Sequence, residues 1–260
     1  MKAIVLAAGF GTRLYPLTKD NPKALIEVGG KTLLDHLIDK LDSLDMIREI
    51  IIVTNRRFYG RLNQWTSQRT FKKSIVLRPN NISDPEERNG SVRDLFLGLQ
   101  DKTNHADDFL VFCSDNYFDY PLSHFLLPCL AHPRSPFVAV YDLKDKSLAS
   151  NYGVAQIDEH GKIMDFKEKP SKPDSSLISL GIYYLPREFK LRVFEYLRID
   201  QLNPDRIGDF IGWLTQKETV YGHEFDGRWF DIGDKESLEE ARRVLSVPAA
   251  GAKDEGGSQK

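Results

Sequence analysis

An α/β architecture, with a mostly parallel central sheet and helices on both faces, is the fold class this sequence predicts. Three observations predict it. In the first half, short apolar runs alternate with helical patterns, as in successive βα units. The second half is richer in strands and adds a smaller β-rich part. The chain has 260 residues, 41% of them hydrophobic and 28% charged, enough for a sizeable core.

The strand-like runs of the first half are Ala3–Leu6, Glu49–Thr54, Ser74–Leu77 and Phe109–Cys113. Helical patterns fall between them at Leu33–Leu44, Arg57–Gln68 and Val92–Gln100, with Thr32 and Ser91 as expected N-caps of the first and third. In the second half, Phe137–Leu143, Tyr152–Asp158, Lys162–Lys167 and Ser179–Leu185 read as strands. His160-Gly161 predicts a hairpin between the middle two. Helices are expected at Arg187–Leu197 and Ile207–Gln216. Val220–Phe225 and Arg228–Phe230 flank Asp226-Gly227 and read as a second hairpin. A last helix should run from Lys235 to Leu245 with Asp234 as its N-cap. The tail 247–260 has a disordered composition. We expect one domain over 1–246, its halves meeting near 118/119.

The most informative segment runs from Leu6 to Leu25. It follows the first strand and places Gly9, Gly11, Arg13 and Lys23 on one loop. Such a loop offers backbone N–H groups, a guanidinium and an ammonium to a polyphosphate. Gly9-Phe10-Gly11 begins a dinucleotide fingerprint, but Leu14 stands where its third glycine belongs, and Pro16 and Pro22 block an immediate helix. No Gly-Lys-Ser/Thr follows, so a Walker loop is excluded as well. A turn that merely connects elements would not explain Arg13 and Lys23.

Asp115 follows the apolar run Phe109–Cys113, and Asp231 precedes the final helix. A carboxylate at a strand end can hold Mg²⁺, a hard ion that takes oxygen ligands. Each aspartate could equally be a turn former or a cap. Arg78–Ser91 is a long polar loop of the kind that is usually functional or mobile. No histidine pair has metal-ligand spacing among His36, His105, His124, His132, His160 and His223.

The string Leu-Ala-Ala-Gly-x-Gly-Thr-Arg-Leu-x-Pro-x-Thr, followed by Pro22-Lys23-Ala24-Leu25, resembles the signature of sugar-1-phosphate nucleotidyltransferases, also called nucleoside-diphosphate-sugar pyrophosphorylases. Weaker echoes reach about Leu245. The resemblance implies a Rossmann-like fold of the nucleotide-diphospho-sugar transferase type, with nucleoside triphosphate and sugar 1-phosphate as substrates. It assigns catalysis to Arg13 and Lys23, and the nucleotide to Leu6, Ala7, Ala8, Gly9, Gly11, Thr12, Asn89, Gly90 and Ser114. Asp115 and Asp231 become ligands of Mg²⁺, with Mn²⁺ as a substitute. Tyr152, Gly153, Glu168, Lys169 and Gly181 face the acceptor, through segments similar to the family's Y-G-V and E-K-P. Three departures stand out. Ser114 replaces a more usual glycine, Ile232 replaces a threonine, and Asn89-Gly90-Ser91 stands where the family often has Q-P-x-G-L-A.

The implied reaction is in-line attack of a phosphate oxygen on the α-phosphorus, with pyrophosphate leaving. The nucleophile, a phosphate monoester with a second pKa near 6, is already mostly ionised at neutral pH. A general base is therefore unnecessary. Two other readings are open. One is a cytidylyltransferase for phosphocholine-, phosphonate- or polyol-phosphate-type acceptors, for which Tyr117-Phe118-Asp119-Tyr120 could hold an ammonium or simply pack as a loop. The other is an inactive relative that binds NDP-sugar, although Arg13, Lys23, Asp115, Lys169 and Asp231 are all retained. A net charge of −2 gives no case for nucleic-acid binding. No apolar run approaches the roughly 20 residues of a membrane span. Cys113 and Cys129 lie in apolar surroundings and the N-terminus has no signal-peptide pattern, so the expectation is a reduced cytoplasmic protein. The resemblance also carries the expectation of a homo-oligomer.

Overall fold

A computed structural model describes residues 1–87, 89–100 and 107–246. His105 and the expected disordered tail lie outside the described residues. Along the chain run β1 (Lys2–Ala7), β2 (Glu27–Val28), β3 (Lys31–Thr32), α1 (Leu33–Asp42), β4 (Glu49–Thr54), α2 (Tyr59–Ser67), β5 (Ser74–Pro79) and α3 (Ser91–Leu99). Next come β6 (Phe109–Cys113), β7 (Asn116–Phe118), α4 (Leu122–Ala131), β8 (Phe137–Asp142), β9 (Gly153–Ile157), β10 (Ile163–Glu168) and β11 (Leu177–Leu185). The last are α5 (Lys190–Tyr196), α6 (Ile207–Thr215), β12 (Tyr221–Glu224), β13 (Trp229–Asp231) and α7 (Lys235–Leu245).

The main sheet runs β10-β9-β11-β6-β1-β4-β5, with β8 on β11 and β12 on β8. β6, β1, β4 and β5 are parallel neighbours. β11 joins them antiparallel along β6 and carries the sheet into the second half. Alternate residues of β1 explain the two helical layers. Ala3, Val5 and Ala7 pack with α1, α2 and α4, while Ile4 and Leu6 pack with α3, α5 and α6. Each large apolar side chain buried this way contributes about 1.5–3 kcal/mol. A third cluster, around Leu14, Ile26, Ile232, Leu238 and Ala241, fastens α7 beneath the loop after β1.

Thr32 caps α1 as expected. Its hydroxyl accepts from the Asp35 N–H at 3.0 Å, and the Asp35 carboxylate accepts in return from the Thr32 N–H at 3.2 Å. Asp234 caps α7 in the same manner with Ser237. The β9–β10 hairpin forms around Gly161, whose N–H donates to Asp158 O at 3.0 Å.

Four expectations are corrected. The segments around Asp226-Gly227 do not pair as a hairpin: β12 joins β8 in parallel, and β13 pairs with β7 in a separate sheet. The N-cap of α3 is Gly90 rather than Ser91. The chain at Arg187 begins as a 3₁₀ turn, and α5 starts at Lys190. Helix α4 has no counterpart in the sequence reading, because Pro128 inside it argues against a helix. Tyr117-Phe118-Asp119-Tyr120 packs as core and turn. Phe118 is buried, Tyr120 stacks on Phe225 at 4.3 Å, and Asp119 pairs with Arg228 at 2.7 Å.

Candidate active site

The carboxyl ends of parallel strands are where ligands of such sheets bind, and β1 and β6 end side by side. The Ser114 N–H donates to Leu6 O at 3.2 Å, which joins the two loops that follow. Gly11 adopts a left-handed conformation (φ 61°) and turns the chain into a 3₁₀ turn at Thr12–Leu14. The Thr18 hydroxyl donates to Gly11 O at 2.7 Å, and the buried Asn55 donates to Ala8 O at 3.0 Å. The loop is thereby held open along one side of a cleft of about 550 Å³.

That cleft is lined by Leu6, Ala7, Ala8, Gly9, Gly11, Thr12 and Arg13, and by Lys23, Ser114, Asp115 and Lys169. Asn89 and Gly90 line it as well. Tyr152, Gly153, Glu168, Gly181 and Asp231 are not among the lining residues.

Asp115 is the electrostatic centre. Lys23 Nζ lies 2.9 Å from Asp115 Oδ2, and Asn116 Nδ2 donates to Asp115 Oδ1 at 3.0 Å. Trp229 Nε1 donates in turn to Asn116 Oδ1 at 2.8 Å, which fixes which way that amide faces. Asp231 is brought alongside by the β7–β13 ladder. It registers with Asn116, and the Ile232 N–H donates to Asp115 O at 2.9 Å. A Cβ on Gly233 would lie 3.4 Å from an Arg13 guanidinium nitrogen and 3.5 Å from Asp231 Oδ2, so both side chains converge on that glycine.

Burial alone would push both carboxyls up. At Asp115 the Lys23 ammonium outweighs it and holds the group below the usual carboxylate range. At Asp231 burial and the Asp115 charge win over Lys23, Arg13 and Lys169, and the carboxyl is pushed up. Among the described residues no group of three or more acidic, His or Cys side chains forms a metal cluster. The two carboxylates nevertheless fit a hard divalent ion. They are oxygen donors close enough for the Asp115 charge to push the Asp231 carboxyl up, and a cation would relieve that repulsion. Asp115 and Asp231 would hold it, with phosphate oxygens and water as further ligands.

Lys169 has φ 49°, uncommon for a residue with a side chain. Its N–H donates to Tyr152 O at 2.9 Å, tying the Glu168–Lys169 corner to the start of β9. Glu168 is wedged between glycines. A Cβ on Gly153 would come within 3.0 Å of Glu168 Oε2, and one on Gly208 would overlap the carboxylate. Burial raises the Glu168 carboxyl. Tyr152 packs edge-on against Trp229 at 5.5 Å, and burial together with Asp231 pushes its hydroxyl up to about 12. Gly181 lies against Cys113, where a Cβ would meet Cys113 at 2.9 Å. The structure therefore brings Arg13, Lys23, Asp115 and Lys169 to one cleft and places Tyr152, Gly153, Glu168 and Gly181 outside its lining.

Sequence reasoning passed over Asn55, Asn80, Asp94, Asn116, Arg206 and Trp229. Asn80, Asp94 and Arg206 line the cleft. A usable signal existed for two of the six: Asn55 and Asn80 are the first residues beyond β4 and β5, at the carboxyl edge where ligands bind.

The model of the nucleotidyl transferase family matches residues 2–246. The chain is 30% identical over 257 residues to the bifunctional protein GlmU of Methanocaldococcus jannaschii, covering 94% of this chain and 54% of that protein. It thus spans about half the length of the GlmU relatives it matches. It is also 30% identical to the UTP–glucose-1-phosphate uridylyltransferase AglF of Haloferax volcanii, covering 94% of this chain and 96% of that one. Among solved structures, a putative glucose-1-phosphate thymidylyltransferase from Bacillus anthracis, in complex with a sucrose, superposes with a TM-score of 0.82 at 26% identity, covering 96% of this chain and 97% of the other.

Proposed function

Because this chain belongs to the nucleotidyl transferase family, we propose that it joins a nucleoside triphosphate to a sugar 1-phosphate, giving an NDP-sugar and pyrophosphate. The observation that carries the reading is the convergence of Arg13, Lys23, Lys169 and Asp115 on one cleft at the ends of β1 and β6. Two anions have to be joined there, so fixed positive charge is the first requirement.

An oxygen of the sugar phosphate forms a bond to the α-phosphorus as the bond to the β-phosphate oxygen breaks, and pyrophosphate carries the electron pair away. No proton is transferred, so the step needs no general base. Arg13, on the loop that turns at Gly11, holds the β- and γ-phosphates. Lys23 stabilises charge on the α-phosphate, and its contact with Asp115 keeps the ammonium in place beforehand. Lys169 draws in the sugar phosphate, while Tyr152, Gly153, Glu168 and Gly181 shape the space for the sugar. A Mg²⁺ ion held by Asp115 and Asp231 would supply further charge neutralisation at the α-phosphate.

The test is a matrix of five nucleoside triphosphates against several sugar 1-phosphates, with phosphocholine and a polyol phosphate as further acceptors, read by pyrophosphate release. Release should require a sugar 1-phosphate. Release with phosphocholine alone would transfer the reading to the other acceptor class, and no release from any pair would refute it.

A further inference from the structure

Residues 8–20 carry Arg13 along the cleft, and one segment that is not part of the cleft grips them. It is residues 55–61, which lead from β4 into α2. Three of its side chains donate to main-chain oxygens of the loop. Asn55 Nδ2 reaches Ala8 O at 3.0 Å, Arg57 Nη2 reaches Lys19 O at 2.7 Å, and Arg61 Nε reaches Asp20 O at 3.2 Å. Between these two ends the Phe10 ring lies 5.8 Å from the Phe58 ring. Asn55, Arg57, Phe58 and Arg61 are not among the lining residues.

Asn55 is fully buried, and its Oδ1 accepts from the Phe58 N–H at 2.8 Å. That bond orients the amide and aims its N–H donor at Ala8. Arg57 and Arg61 are exposed, and holding such long side chains in one geometry costs rotamer freedom. Charge-assisted bonds to the loop carbonyls offset that cost. The gripped stretch is shaped for an incoming group. Gly9 has no left-handed φ, and a Cβ there would meet nothing within 4 Å. Neither the backbone nor the packing therefore calls for glycine at this position. What it provides is room for a ligand to approach the main chain.

We propose that Asn55, Arg57 and Arg61 are positioning residues, which hold residues 8–20 in the shape that receives the triphosphate. The inference rests on the reading of this loop as a nucleoside triphosphate site. A loop ordered beforehand binds more tightly, because a site competent only part of the time loses affinity by that fraction. The three residues act through the main chain of the loop, without touching the nucleotide themselves.

The experiment is direct binding of ATP, CTP, GTP, UTP and dTTP to the full chain with Mg²⁺. The tightest of the five is then measured on the variants, well below their melting temperatures. Arg57→Ala combined with Arg61→Ala should weaken it roughly 10-fold, the scale of one charge-assisted hydrogen bond to the loop. Turnover at saturating triphosphate should change far less than KM, and Tm by no more than about 2–4 °C. Arg56 is exposed and takes no part in the three contacts. Arg56→Ala removes an equal charge from the same segment, and should weaken binding less than about 2-fold because solvent and salt screen it. Asn55→Asp sets a carboxylate against Ala8 O and should weaken the triphosphate at least as far as the arginine pair does. Where that variant does not fold, the arginine pair decides. Unchanged affinity in the arginine double variant, or in a folded Asn55→Asp, overturns the inference and leaves the nucleotidyltransferase reading intact. An equal loss in Arg56→Ala also overturns it, since charge alone would then draw in the phosphates. Failure of all five triphosphates to bind the unaltered chain overturns the nucleotidyltransferase reading and this inference with it.

Discussion

Lys23 and Asp115 meet at 2.9 Å across 92 residues of sequence, the ammonium side chain only 12% exposed and the carboxylate 36%. This contact joins the loop after β1 to the loop after β6 and fixes both partners where a polyphosphate would arrive. Only the ammonium is largely buried, so it is Lys23 whose charge would be left costly and unpaired if Asp115 were removed.

Replacing Lys23 by Ala removes the positive charge proposed to stabilise the α-phosphate. Turnover should fall about 10²-fold or more, the usual loss for a transition-state charge partner, with a smaller change in KM. Asp115→Ala should fall at least as far. Single-turnover pyrophosphate release checks both, and near-normal rates in the two variants would falsify the proposed roles.

Withdrawal of divalent metal tests Asp115 and Asp231 together. Excess chelator should abolish pyrophosphate release, and added Mg²⁺ or Mn²⁺ should restore it. Activity that persists in chelator would mean that the two carboxylates serve the fold alone.

The legible part of the site was local in sequence. Gly9, Gly11, Arg13 and Lys23 stand within one short loop, so their common place on one cleft could be read from composition and spacing. Asp115 and Asp231 could not be joined in that way, because their proximity comes from the β7–β13 ladder, which no short-range signal announces. The same long-range pairing defeated the turn signal at Asp226-Gly227. Tyr221–Glu224 finds β8 and Trp229–Asp231 finds β7, and both pairings outcompete the nearby hairpin. Asn80 and Asp94 stand 14 residues apart on a strand end and a helix, and only the fold shows that they share a hydrogen bond. Helix α1, by contrast, was readable to its cap, since a capping box spans only Thr32 to Asp35.

Trp229→Phe tests whether the support behind Asp115 matters. The ring would still fill its place against Tyr152 and Tyr141, but Asn116 would lose the donor that fixes its amide. Supporting residues of this kind commonly change metal affinity 10- to 100-fold. A Mg²⁺ titration of turnover should show about a 10-fold rise in the concentration needed for half-activity, with the maximal rate at saturating metal changed far less. An unaltered Mg²⁺ requirement would leave the indole N–H as a packing detail.

Asp142 gives a pH dependence away from the site. Its carboxylate accepts from the Lys144 N–H at 2.8 Å, from Lys144 Nζ at 2.8 Å and from the Ser176 hydroxyl at 2.6 Å. These contacts, led by the Lys144 side chain, hold the carboxyl down at about 2. They also brace Lys144, whose φ of 61° is unusual for a residue with a side chain. The folded group binds its proton less readily than the unfolded one, so the stabilisation is complete above the unfolded value near 4 and is lost as pH falls through about 2. Allowing for screening by solvent, its worth is about 1 kcal/mol, or about 2–4 °C in Tm for a chain of this size. Asp142→Asn should melt lower than the unaltered protein by that amount at pH 6. At pH 3 the gap should shrink to roughly half, because the unfolded carboxyl is then largely protonated while the folded one is still ionised. A gap that stays constant from pH 6 to pH 3 would show that the side chain's shape, rather than its charge, holds the turn at Lys144.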